Sequence, residues 1–304
     1  MSPILTEISS TTLGGIAALS AAFLWSIAAI FYERLSRSVR PLEMNLVKGV
    51  LALVMFLATL LFTGELAVKI QPLALLLLLL SGGLGIGLGD TVYFEGLRRL
   101  GVRRMLLLGV LAPGLTAVMA LIFLDEQLPW NGWLGILLTI AGVAWVVTER
   151  TSPDEKVSDV KWGVFFGFLA ALAQSGGAVL SRLAFTQTSV TPLQSSVLRL
   201  SAGLVVIAVW VVVLRQPVGQ WLREKGAGKL FLFSVLGTLL GTYLGIWLLQ
   251  SSFKLAPVAL AQTLVATSPI FGLPIAVISG ERLSARSVFG VLIAVAGVAL
   301  IFLV

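Results

Sequence analysis

The chain has 304 residues, 58% of them hydrophobic and only 12% charged, with a mean hydropathy of +1.03. Ordinary soluble domains carry about 25% charged residues, so this chain has too few to cover a soluble surface. It contains no cysteine and no histidine, which excludes disulfides, thiolate zinc sites, cysteine nucleophiles, Ser–His dyads, HExxH zinc sites and haem ligation by histidine. The net charge of +7, from 21 Lys+Arg against 14 Asp+Glu, reads as loop charge that fixes membrane topology and not as a nucleic-acid surface.

In chain order, ten apolar segments cover approximately 13–33, 43–63, 73–96, 103–124, 130–148, 161–182, 193–214, 229–251, 257–279 and 285–304. A bilayer-crossing helix needs about 20 such residues. Leu73–Leu80 and Val205–Val213 are apolar at every position, whereas barrel strands alternate, so the spans are predicted to be helices. Residues 1–12 carry no Lys or Arg, so the first span does not read as a cleaved signal peptide. The charged stretch Glu149–Lys161 divides the chain into residues 1–150, a linker at 151–160, and residues 161–304.

The two parts resemble each other. A shift of 156 aligns Leu84-Gly85 with Leu240-Gly241, Gly89 with Gly245 and Pro113 with Pro269. A shift of 155 aligns Glu126 with Glu281, Gly135 with Gly290, and Ala141-Gly142-Val143-Ala144 with Ala296-Gly297-Val298-Ala299. Near the start of each part, Pro41 and Lys48 match Pro192 and Arg199 at a shift of 151. Five spans per part is an odd number, so the second copy enters the membrane inverted. The predicted fold class is therefore an all-α integral membrane protein of ten transmembrane helices in two inverted five-helix repeats.

These landmarks carry a family resemblance. The first half carries Gly89-Asp90-Thr91 with Phe94, the Leu97–Gly101 stretch, Pro113, Asp125-Glu126-Gln127-Leu128, Gly135 and Ala141-Gly142-Val143, and the second repeats the pattern from the proline onward as Pro269, Glu281-Arg282-Leu283, Gly290 and Ala296-Gly297-Val298. With them the chain resembles the ten-span EamA-type branch of the drug/metabolite transporter superfamily over essentially its whole length. The resemblance implies export or exchange of small metabolites by alternating access. It also implies a central cavity walled by the first four spans of each half, with the fifth and tenth spans peripheral.

Candidate cavity residues follow from chemistry at membrane depth. Asp90 is the only aspartate within an apolar span, and an ionisable group there is a functional suspect and the proton-coupling candidate. Tyr93 neighbours it at helical spacing; pairing of Asp90 with a loop arginine is the purely structural alternative. Lys48 and Arg199 are matched cations suited to a carboxylate or phosphate, but they lie five to seven residues inside their spans, which favours snorkelling to the interface. Pro113 and Pro269 fall in mid-span, where proline frees a carbonyl and bends the helix. Gln262, Thr263, Thr267 and Ser268 form a polar stripe beside Pro269, and Trp25, Gln174, Tyr243, Trp247 and Gln250 complete the set. The four-residue glycine spacings Gly85/Gly89 and Gly237/Gly241/Gly245 read as helix packing.

The expected activity is secondary transport of small, amino-acid-like or similarly polar metabolites across a plasma or inner membrane. No enzyme activity, metal, cofactor or nucleic-acid partner is expected, and the expected state is a monomer or weak homodimer in lipid. A passive channel is the main alternative, with a membrane scaffold or sensor behind it. Gly87-Leu88-Gly89-Asp90 also fits the GxGD pattern of intramembrane aspartyl proteases, but that chemistry needs a second buried aspartate. The remaining aspartates, Asp125, Asp154 and Asp159, lie at a helix end or in the linker.

Loop charge bears on orientation. The loops joining spans 1–2, 3–4, 5–6, 7–8 and 9–10 together hold sixteen Lys and Arg, and those on the other side hold only Lys69, Arg182 and Lys254. The positive-inside rule then puts both termini outside, whereas the family resemblance implies cytoplasmic termini. On the charge count, a cysteine placed at Ser2 reacts with an impermeant maleimide in intact cells and one placed at Ser158 does not. Labelling at Ser158 alone restores the family orientation.

Overall fold

The computed structural model describes residues 3–65, 71–124, 130–147, 157–223, 226–256, 258–268, 270–272, 277 and 284–302, which are overwhelmingly helical with no strand among them. The helices are α1 (Pro3–Ser36), α2 (Pro41–Thr63), α3 (Pro72–Gly82), α4 (Asp90–Gly109), α5 (Leu111–Leu124), α6 (Trp130–Val147), α7 (Val157–Gln187), α8 (Pro192–Val213), α9 (Ala227–Gly237), α10 (Gly245–Leu255), α11 (Val258–Val265) and α12 (Ala285–Phe302). A seven-residue π-helical turn, Gly83–Gly89, joins α3 to α4, and a second, Thr238–Leu244, joins α9 to α10.

Local chemistry sets the helix starts. Proline opens α2, α3 and α8, where its missing N–H costs nothing and its fixed φ suits the first turn. Thr191 and Gln194 add a reciprocal capping box to α8. Gly64, at φ 71°, closes α2. Within α4 the chain turns sharply at Gly101, whose φ of 76° only glycine adopts without strain.

Six helical stretches among the described residues are long and apolar enough to cross a membrane: Thr12–Ser36, Pro41–Thr63, Pro72–Val102, Asp159–Gln187, Pro192–Val213 and Ala227–Leu255. They correspond to the first, second, third, sixth, seventh and eighth expected spans. The fourth, fifth and tenth are represented by shorter apolar helices at Arg104–Met119, Trp133–Gly142 and Ala285–Gly297, and the ninth lies partly outside the described residues.

The interior core gathers Tyr32, Phe94, Leu97, Leu107 and Leu108 from α1 and α4, and Phe56, Leu60, Leu193 and Leu200 from α2 and α8. The outer faces are apolar as well: Phe62 is 92% exposed, and Trp130, Val212 and Leu61 are largely exposed. This distribution suits lipid as the solvent, where apolar side chains face outward without penalty. α6 packs along α12. A Cβ on Gly142 would stand 2.6 Å from the Ala294 nitrogen, and one on Gly297 would stand 2.5 Å from the Thr139 nitrogen. These helices therefore meet backbone to backbone through small residues.

Among the described glycines the tightest setting is Gly82 against α8, where a Cβ would lie 2.0 Å from the Arg199 carbonyl oxygen. Gly82→Ala must therefore push α3 off α8, at a cost of about 1–3 kcal/mol. It is expected to lower the unfolding midpoint followed by circular dichroism in detergent. Gly228→Ala, where a Cβ meets nothing within 4 Å, leaves that midpoint unchanged.

Candidate functional site

The helices enclose a cavity of about 200 Å³. Its described walls come from α1 (Trp25, Ala28, Ala29, Tyr32), α2 (Lys48), α4 (Asp90, Tyr93, Phe94), α7 (Ala170, Ala171, Gln174), α8 (Arg199) and α10 (Ile246, Leu249), with Pro113 from α5 and Gln262 from α11. None of them belongs to α6 or α12.

The two π turns shape this cavity. Such a turn carries one residue more than an α-turn and leaves backbone carbonyls without their usual donors, so it persists in a membrane interior only where other groups satisfy them. In the first turn, Asn45 Nδ2 donates to the Ile86 carbonyl at 2.9 Å, and Thr91 Oγ1 donates to the Gly87 carbonyl at 2.7 Å. In the second, Trp25 Nε1 donates to the Gly241 carbonyl at 2.7 Å. Residues 83 and 89 correspond to 238 and 244, an offset of 155 at both ends, and Ile86 and Gly241 stand at the same offset. The alignment of this region therefore shifts by one residue from the 156 that the glycines alone suggest.

Asp90 is the first residue beyond the first π turn. Its carboxylate is ion-paired with the Lys48 ammonium, the two side chains being 14% and 6% exposed. Gln174 Nε2 donates to the other carboxylate oxygen, Oδ1, at 3.2 Å. The Lys48 Nζ also stands 5.1 Å from the Phe94 ring centroid, a cation–π contact. Tyr32, whose hydroxyl shares a 2.9 Å hydrogen bond with Thr242 Oγ1, packs on Phe94 at 5.1 Å between centroids.

Arg199 lines the same cavity and is 4% exposed. Its Nε has no hydrogen-bond partner. Among the described residues the guanidinium makes no hydrogen bond or ion pair. Nη2 lies 3.3 Å and 3.5 Å from where Cβ atoms of Gly85 and Gly177 would be, so the guanidinium is seated against these glycines, where a side chain would crowd it.

The structure thus brings together Trp25, Lys48, Asp90, Tyr93, Pro113, Gln174, Arg199 and Gln262. Lys48 and Arg199 do not snorkel: α2 packs on α8 and on the second π turn, α8 packs on the first, and both cations are buried in the cavity wall. Asp90 pairs with Lys48 and not with a loop arginine; Arg98 and Arg99 are held by Glu95, with Arg99 also reaching Asp159. Tyr243 and Trp247 are not among the cavity residues. Tyr243 shares a 2.7 Å hydrogen bond with Thr59 and packs on Phe56, with Trp247 beside it. Gln250 bonds Ser195 at 3.1 Å away from the cavity, and the Thr267 hydroxyl donates to the Leu264 carbonyl at 2.6 Å, whereas Ser268 does line the wall. The Thr263 side chain and Pro269 lie outside the described residues. Sequence reasoning missed Tyr32 and Thr242. Tyr32 sits beside Glu33 and Arg34, where an aromatic reads as an interfacial anchor.

The sequence pattern of the EamA-like transporter family matches residues 12–148 and again residues 161–303. No curated protein matches the chain. A solved structure described only as "Crystal structure of protein" shares the fold at a TM-score of 0.70, with 20% sequence identity over 97% of this chain and 96% of that chain. The chain belongs to the EamA-like transporter family, within the drug/metabolite transporter superfamily, and is a multi-pass helical membrane protein that moves small solutes.

The Lys48–Asp90 pair gives a stability prediction. Removing one partner of a buried ion pair strands the other charge, at about 3–5 kcal/mol, whereas replacing both is far less costly. Lys48→Met is therefore expected to unfold at markedly lower denaturant than wild type. The double variant Lys48→Met/Asp90→Asn should recover much of that loss in a double-mutant cycle.

Proposed function

We propose that this family member is a secondary transporter that carries small polar metabolites, amino-acid-like solutes among them, by alternating access. It acts in export or exchange across a plasma or inner membrane. On this reading residues 1–150 and 161–304 are two five-span repeats inserted in opposite orientations, joined by the linker 151–160, and they rock about the cavity between them. Five apolar segments in each half and two family matches support the ten-span arrangement. The absence of α6 and α12 from the described cavity wall supports a peripheral role for the fifth and tenth spans.

One observation carries the mechanism: a cavity inside an apolar bundle contains the Lys48–Asp90 pair at the edge of a π turn. Ionisable groups at membrane depth mark proton relays and substrate paths. A protonated Asp90 releases Lys48, and a deprotonated one recaptures it, so the pair is a device for coupling solute binding to a proton. Trp25, Tyr93, Pro113, Gln174 and Gln262 are further residues of the described wall. The cavity, smaller than the roughly 300–1,000 Å³ of drug-sized pockets, suits a small metabolite.

The test is counterflow in proteoliposomes with radiolabelled amino-acid mixtures. Wild-type uptake is expected to saturate and to depend on pH, and Asp90→Asn, which keeps the shape without the titration, to remove the pH dependence. An unchanged pH profile in Asp90→Asn overturns the coupling role. Flux without saturation identifies a passive facilitator instead.

A further inference from the structure

We infer that Arg199 is an anion seat: the solute that enters the cavity carries a carboxylate or phosphate group, and that oxyanion docks on the Arg199 guanidinium. The inference deepens the transport reading of the cavity and rests on it for the word solute.

Three independent observations converge on this residue. The first is the charge balance. Lys48, Asp90 and Arg199 are the ionised side chains of the described cavity wall, and Asp90 is already held by Lys48 and Gln174, so one positive charge remains. Arg199 feels Asp90 only through space, without a direct ion pair, and a buried cation so weakly compensated is costly in low dielectric and is retained where a ligand supplies the counter-charge.

The second is the broken symmetry of the two halves. Pro41 and Pro192 open matched helices, and Lys48 and Arg199 follow each proline by seven residues. The π turns match at an offset of 155, which places Gly245 where the first half has Asp90, and the next residue is Ile246. The second half keeps the cation and lacks the acid. An oxyanion from solution restores the missing ion pair.

The third is space and geometry. Arg199 forms part of the cavity wall with its Nη2 seated against Gly85 and Gly177, where no side chain intervenes, and Gln174 Oε1 stands 3.7 Å from the Cβ position on Gly85. A ligand in the cavity meets a planar fork of donors; the Gln174 amide does not join it, since its Nε2 already donates to Asp90 and its oxygen is an acceptor. That fork matches the two oxygens of a carboxylate or the edge of a phosphate, which a point charge such as lysine does not.

The full chain in lipid nanodiscs tests this by calorimetric titration with three probes: sodium benzoate, its neutral isostere benzamide, and inorganic phosphate. Benzoate or phosphate is expected to bind saturably and benzamide not to. Arg199→Gln should weaken the anion by about 10- to 100-fold, the loss expected for a charge-assisted hydrogen bond. A second variant leaves Arg199 in place. Gly85→Asp puts a resident carboxylate beside Nη2 and should abolish anion binding, its folding being checked separately by helical circular dichroism in the same nanodiscs. Whichever of benzoate and phosphate binds tighter assigns the group that the natural solute carries. Equal binding of benzoate and benzamide, anion binding retained in both variants, or no saturable binding of either anion up to about 10 mM overturns the proposal. If anions bind through Arg199 but no counterflow is found, the seat stands and the transport reading fails. Saturable counterflow indifferent to both variants shows the converse.

Discussion

The bundle is organised around one buried ion pair, Lys48 on α2 with Asp90 on α4. A lone charge at the centre of a membrane helix costs about 2.5–3.5 kcal/mol on insertion scales, and pairing within the protein removes most of that penalty. The pair can form because Asp90 is aimed by the π turn before it. That turn is tolerated because Asn45, three residues ahead of Lys48 on the same helix, caps the Ile86 carbonyl. One helix thus supplies both the counter-ion and the backbone donor that makes the acid's position possible. Lys48 and Asn45 are consequently coupled residues, and the glycines of the π turn are what let α8 and α7 close over them.

The two halves share scaffold and differ in chemistry. Proline-initiated helices, seven-residue π turns and side-chain caps on matched carbonyls occur twice. Yet the cap is an asparagine from α2 in one half and a tryptophan from α1 in the other, and the acid is present once. A repeated frame with unequal side chains gives a site with two distinct ends. An oriented small solute needs such a site, and a strictly symmetric cavity would not provide it.

Much of this was legible in the sequence. Composition and the length of apolar runs identify a helical membrane protein, and ordered Gly, Pro and Glu landmarks identify the repeat. Asp90, Gln174 and Pro113 could be picked out because polar or helix-breaking residues at depth are rare enough to notice. For Tyr243 and Trp247 the physical source of the difference is helical phase. A π turn adds a residue and rotates everything beyond it by about 100° relative to a continuous α-helix. Tyr243 and Trp247 lie within and just past the second turn, and they project toward Phe56 and Thr59 on α2 instead of into the cavity. Lys48 and Arg199 do line the cavity, and the competing snorkelling reading fails for a different reason. Distance from a helix start gives depth only when nothing covers that end, and here α2 and α8 cover each other and the π turns cover both.

Charge balance also constrains how such a cavity can work. With Asp90 neutralising Lys48, the described wall holds an uncompensated Arg199, and an occluded empty state must bury that charge. In the proposed mechanism an anionic group on the solute cancels it, so the loaded carrier crosses between its two open states more readily than the empty one. A carrier whose empty form is the unfavourable one returns faster when loaded from the opposite side. Protonation of Asp90 acts in the opposite sense, because it frees Lys48 and raises the positive charge of the cavity to two. Solute and proton therefore favour each other's binding when the solute is anionic. In the proposed mechanism the same side chains support exchange of one monoanion for another, whereas a cavity with Asp90 protonated is brought to neutrality only by a doubly charged solute.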